Sequence, residues 1–152
     1  MRKILVLFAI LFALPMAASE ITRDSVLASM NAYRAKYGLD PLKFDARLLK
    51  AADDRIRDME EREYWAHEGP DGGSPFRWLK YEGYEMQYAG ENLAAGFETT
   101  EVLVSSWMES PGHRANILSP EYEDCGIALI DGSTKGRATG KSIVVLFGRA
   151  RN

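Results

Sequence analysis

Cysteine is nearly absent from this chain: Cys125 stands alone among 152 residues. A single thiol cannot close an internal disulfide, so stability has to come from packing. Its setting, Asp124-Cys125-Gly126-Ile127-Ala128-Leu129-Ile130, reads as a strand with the thiol buried and inert. Histidine is as sparse, with only His67 and His113. An excess of basic charge is missing too: 19 Lys and Arg face 22 Asp and Glu, a net charge of −3. That sign opposes generic nucleic-acid binding, which depends on neutralising phosphates. Internal repeats, linkers and basic runs are absent, which excludes repeat architectures and a polybasic membrane-surface segment. Past Leu14 no long apolar run exists to cross a bilayer.

What is present begins with a leader pattern. Arg2-Lys3 precede an apolar run from Ile4 to Leu14, which ends at Pro15. Ala17-Ala18-Ser19 then offers small residues to a signal peptidase, so cleavage is expected before Glu20. The run is far shorter than the roughly 20 residues of a transmembrane helix. No cysteine follows the cleavage region to accept a lipid. The expected organisation is therefore a signal peptide over 1–19 and one domain over 20–152, exported to a periplasm or the exterior. Without Arg2 and Lys3 the domain keeps 17 basic and 22 acidic residues, a net charge of −5.

Within the domain the spacing predicts a helix from Thr22 to Tyr37, with Val26, Leu27, Met30, Tyr33 and Tyr37 on its inner face and Gly38 at its end. Asp45 caps a second helix running to about Arg62. Its inner stripe is Leu48, Leu49, Ala52, Ile56 and Met59, and Asp53, Asp54, Arg57 and Glu60 form a solvated face. Ser74-Pro75 opens a short helix ending near Gly83. Thr99 or Thr100 caps another, with Val102, Leu103 and Trp107 inward. Pro111-Gly112 breaks the chain and sets His113 at the start of a short helix. Strands over Cys125–Ile130 and Ser142–Gly148, joined by the Gly-rich loop Asp131 to Lys141, form an antiparallel hairpin. A further strand lies near Tyr84–Ala89. The fold class is α+β, helices packed on a small antiparallel sheet.

Three turn-rich motifs carry the chemistry: Tyr64-Trp65-Ala66-His67-Glu68-Gly69, Gly90-Glu91-Asn92-Leu93-Ala94 and Ser110-Pro111-Gly112-His113-Arg114-Ala115-Asn116-Ile117-Leu118. Two imidazoles and a carboxylate are ligand types for a divalent cation such as zinc, with a fourth position for water. Their wide separation in sequence means that only the tertiary fold can bring them together. Each also has a structural reading. His67 can bond nearby backbone, Glu91-Asn92 can knit a turn, and a helix start favours neutral His113.

With Asn31-x-x-Arg34, Gly38-Leu39-x-Pro41-Leu42-x-x-Asp45, Leu48-x-x-Ala51-Ala52 and Asp58-Met59, these motifs resemble the CAP superfamily over about residues 22 to 150. That superfamily comprises cysteine-rich secretory proteins, antigen 5 and plant pathogenesis-related 1 proteins, with a domain also called SCP-like. The likeness points to its bacterial type. The resemblance implies an α-β-α sandwich in which His67, Glu91 and His113 line one cleft, with Asn92 and Ser110 beside them. In some members the equivalent residues bind a divalent metal, so the resemblance makes His67, Glu91 and His113 the metal candidates here. It also implies a lipid, peptide or cell-envelope ligand.

Two departures matter. Ser110 occupies the place where many members carry a second Glu, and Glu109, one residue earlier, is turned by about 100° around a helix. The family's disulfides and its cysteine-rich extension have no counterpart here. Three functions follow: an exported ligand-binding module, with or without metal; a metal-dependent hydrolase of peptide or wall material; or a structural module. The first is favoured, because Glu91 cannot easily serve both as ligand and as general base. Ser105, Ser106 and Ser110 read as packing or capping residues rather than nucleophiles.

Overall fold

The computed structural model describes residues 19–132 and 139–151. The expected leader up to Ala18 and the loop tip at 133–138 lie outside the described residues. Thr22 opens α1 (Arg23–Lys36) with a capping box, its hydroxyl accepting from Ser25 N and the Ser25 hydroxyl from Thr22 N. This satisfies two backbone donors that a helix start leaves orphaned. Asp45 caps α2 (Ala46–Glu61) by accepting from Arg47 N and Leu48 N. The short α3 (Arg77–Tyr81) follows. Thr99 caps α4 (Thr100–Glu109), and Ser110, in extended conformation, separates it from α5 (Pro111–Ile117). The short helix expected at His113 is α5, two turns with Pro111 at its start.

The strands β1 (Lys43–Phe44), β2 (Met86–Phe97), β3 (Asp124–Asp131) and β4 (Lys141–Ala150) form one sheet in the order β1-β3-β4-β2. β4 pairs antiparallel with both neighbours, whereas the two-residue β1 runs parallel to β3. The sheet is therefore mixed at one edge. The strand expected near Tyr84–Ala89 runs on through Gly90-Glu91-Asn92-Leu93-Ala94, so that motif is strand rather than turn.

Helices cover both faces. Val26, Met30, Leu103, Val104, Trp107 and Ile117 pack with Cys125, Ile127, Val145 and Phe147 on one face. Leu48, Ala52, Ile56, Met59 and Leu79 pack with Leu93, Ala128, Val144 and Leu146 on the other. This is the α-β-α sandwich. At Gly126 a Cβ would lie 2.0 Å from the Leu48 carbonyl, so only glycine lets α2 settle onto β3. Three expected inner residues fall outside the core: Tyr37 and Val102 are exposed, and Leu49 is half-buried. On α1 and α2 the buried stripe is completed instead by two arginines, Arg34 and Arg55.

Candidate functional site

Alternation along β2 sends Glu91 to the α2 face of the sheet and Asn92 to the α5 face. Glu91 is buried, and its two carboxylate oxygens have different partners. Oε1 sits 2.8 Å from His67 Nδ1, and Oε2 accepts from Arg55 Nε at 2.9 Å. With the carboxylate accepting, His67 donates through Nδ1 and turns Nε2 outward. The His67 side chain remains 59% exposed, against 2% for Glu91 and 1% for Arg55. Arg55 also ties down the loop that carries His67, donating to the carbonyls of Ala66 and His67 at 2.6 and 2.9 Å and to the Tyr64 hydroxyl. Tyr64 in turn donates to Asp58. Burial and that bond push the Tyr64 phenol up to about 12. Beyond His67, Asp71 bonds Gly73 N and Arg77, closing the loop as it returns to α3.

His113 reaches the same edge of the sheet from the opposite layer. Its carbonyl accepts from Asn92 Nδ2 at 3.1 Å, and Asn92 Oδ1 accepts from Asn116 Nδ2 at 2.8 Å. The ring is half-buried and tilted against Trp107, with centroids 6.2 Å apart. Burial lowers the His113 pKa, and the nearby His67 lowers it further. Below α5, the buried Arg34 donates to the carbonyls of Asp40, Ile117, Ser119 and Tyr122. A cation at a helix C-terminus satisfies its orphan acceptors, so Arg34 fixes the far end of the helix that presents His113.

β2 is an edge strand, and three of its outward carbonyls are capped by side chains: Ala89 by the Tyr122 hydroxyl, Glu91 by Asn116 Nδ2, and Leu93 by Trp107 Nε1. Gly90 makes room for this, since a Cβ there would lie 2.6 Å from the Tyr122 hydroxyl. The motif residues around the histidines thus seal the strand against α4, α5 and the segment after it.

The structure brings His67 and Glu91 into direct contact and sets His113 across from them. Asn92 is fully buried and spent on His113 and Asn116, so it positions the site rather than facing a ligand. Ser110 makes no side-chain cap at its helix junction. Glu109 is exposed and lines a shallow apolar depression with Met108, Pro111, Arg114, Ala115 and Leu118, which contains neither histidine. A polar crevice lined by Lys43, Asp45, Arg47, Glu123, Asp124 and Arg149 also lies apart from both, its cations paired with its own acids. Arg55 had no place among the sequence candidates. The signal that would have found it is its position in the α2 stripe, three residues after Ala52 and four before Met59.

A resident zinc ion needs at least three protein donors. Both Glu91 oxygens are engaged, one by a buried cation, and among the described residues no three His, Cys, Asp or Glu side chains stand together as a ligand group. The set His67, Glu91 and His113 does not fit a resident zinc ion in this arrangement.

Residues 27–147 match the model of the CAP cysteine-rich secretory protein family, and the chain belongs to that family. It is 42% identical over 106 residues to the uncharacterized protein YkwD of Bacillus subtilis, covering 70% of this chain and 41% of that protein. It is 31% identical over 108 residues to the uncharacterized membrane protein YlbC of the same organism, covering 71% and 31%. The chain therefore spans less than half the length of these relatives. Among solved structures, an outer surface protein from Borrelia burgdorferi superimposes with a TM-score of 0.73 at 22% identity, over 88% of this chain and 99% of that one. An extracellular SCP-domain protein from Bacillus anthracis gives 0.70 at 23% identity, over 87% and 45%. At such identities these two speak for the fold.

Proposed function

We propose that this is an exported CAP-domain binding module whose cleft holds a cell-envelope ligand through the imidazoles of His67 and His113. One observation carries the reading: a buried Arg55–Glu91 pair holds an otherwise exposed imidazole in a single orientation. Burying a charge pair is costly, and orienting one exposed ring is an expense a purely structural module has no need of. Export is supported by the leader pattern, and among the described residues no helix is long and apolar enough to cross a membrane.

A hydrolase is the weaker reading. The hydroxyls of Ser105 and Ser106 donate to the carbonyls of Val102 and Leu103 within α4, so neither is poised as a nucleophile. Glu91 is committed on both oxygens and is not available as a general base.

The test is co-sedimentation of the purified chain with isolated cell-wall sacculi and, separately, with lipid vesicles. Retention on one of them that drops at least about tenfold in His67→Ala/His113→Ala, with folding unchanged, supports the reading. Equal retention of wild type and double variant on both, or none on either, overturns it.

A further inference from the structure

We infer that Arg55 is the resident cation of this site: it holds Glu91 and the His67 loop in one frame and closes the Glu91 carboxylate to divalent metal ions. The role of the site rests on the cleft reading above, but that of Arg55 can be tested without knowing the ligand.

Arg55 projects from the middle of α2 into the gap between β2 and the α2–α3 loop. A guanidinium carries five N–H donors in a rigid planar fork. Here the fork is used from three directions: Nε toward Glu91, one terminal nitrogen toward Tyr64, the other toward the carbonyls of Ala66 and His67. It cannot swing away from Glu91 without releasing the loop. A metal approaching Oε2 would meet a fixed positive charge already 2.9 Å from that oxygen. A metal approaching Oε1 would have to displace His67 Nδ1 from the carboxylate and so lose the orientation of the ring.

In metal centres a carboxylate behind a histidine usually orients the ring toward the ion and raises its basicity. The Glu91–His67 contact has that form. The charge balancing the carboxylate, however, comes from the protein itself, on the side away from the cleft. Arg55 is accordingly a positioning residue. It acts on the cleft through Glu91 and the His67 backbone, and it leaves a pair of imidazoles that work without a metal.

Calorimetric titration with zinc alone tests this on the full chain. The wild type should show no saturable zinc binding at micromolar concentrations, and neither should Glu91→Gln, because the carboxylate is closed and two imidazoles alone are too few donors. Arg55→Gln should raise zinc affinity by about tenfold or more by freeing a carboxylate beside two imidazoles, and the gain should vanish in Arg55→Gln/Glu91→Gln. A purely structural Arg55 would not produce a Glu91-dependent gain in affinity. A folded Arg55→Gln without that gain overturns the inference. So does a wild type that binds zinc saturably and loses that binding in Glu91→Gln. Should Arg55→Gln not fold, the wild-type comparison with Glu91→Gln decides alone. A failure of sacculus and vesicle binding leaves these results untouched, so the two readings fail separately.

Discussion

The fold favours the neutral form of His113, because burial and the proximity of His67 both penalise its protonation. A histidine with a depressed folded pKa binds fewer protons than its unfolded counterpart. Its stability contribution is therefore complete above the unfolded value of about 6.5 and is lost as pH falls below it. Urea midpoints measured between about pH 7.5 and pH 5 should decline for the wild type, and less steeply for His113→Gln. Identical slopes would show that other groups govern the acid limb. At this scale His67, Glu91 and His113 were legible, since two lone histidines and a carboxylate among turn residues invite a chemical reading. Arg34 and Arg55 were not. Each is a charged residue in an apolar stripe, and its justification lies in partners distant along the chain: Arg34 reaches the Tyr122 carbonyl and Arg55 the Glu91 carboxylate. Periodicity registers hydrophobicity and is blind to such pairings.

The element that changes most between sequence and structure is β2. Its central residues are buried on both faces, so Gly90 to Ala94 shows no alternation, and Gly, Glu and Asn are poor strand formers. Tertiary context overrides that propensity: β4 pairs along its length on one side, and side chains from α4, α5 and beyond cap the carbonyls on the other. An edge strand left open invites pairing with another chain, and capped carbonyls remove half of that template. Asn116→Ala strips the cap from the Glu91 carbonyl and the partner from Asn92. It should cost about 1–3 kcal/mol in urea unfolding, as expected for buried acceptors left unpaired. Tyr122→Phe removes only the hydroxyl on Ala89 and should cost less. If Asn116→Ala matches the wild type in stability, water replaces the amide and the sealing role is wrong. The helices were more legible because their signals are local, as in the Thr22 and Asp45 caps. Their inner faces misled at Tyr37 and Val102, where the helix end or rim turns a nonpolar residue to solvent.

For the whole molecule the decisive fact is that the candidate site spans both halves of the sandwich. His67 is held from the α2 layer and His113 from the α5 layer, with β2 between them. Spacing along the chain could not reveal this juxtaposition. No covalent link between the layers exists, because Cys125 is the only cysteine. It lies in the core between α1 and the sheet, and burial pushes its thiol up to about 12. Reaction with a thiol reagent needs the thiolate and access to it, and neither is available while the sandwich is closed. Ellman's reagent should therefore label the native chain only at the rate of global opening, and each destabilising variant should speed labelling in proportion to its loss of stability. Reducing agent should leave the thermal midpoint unchanged. Rapid labelling of a chain whose circular dichroism remains native would mean that the α1 layer opens by itself. His113 would then be carried on a more mobile frame than His67, and the two imidazoles would not form one rigid site.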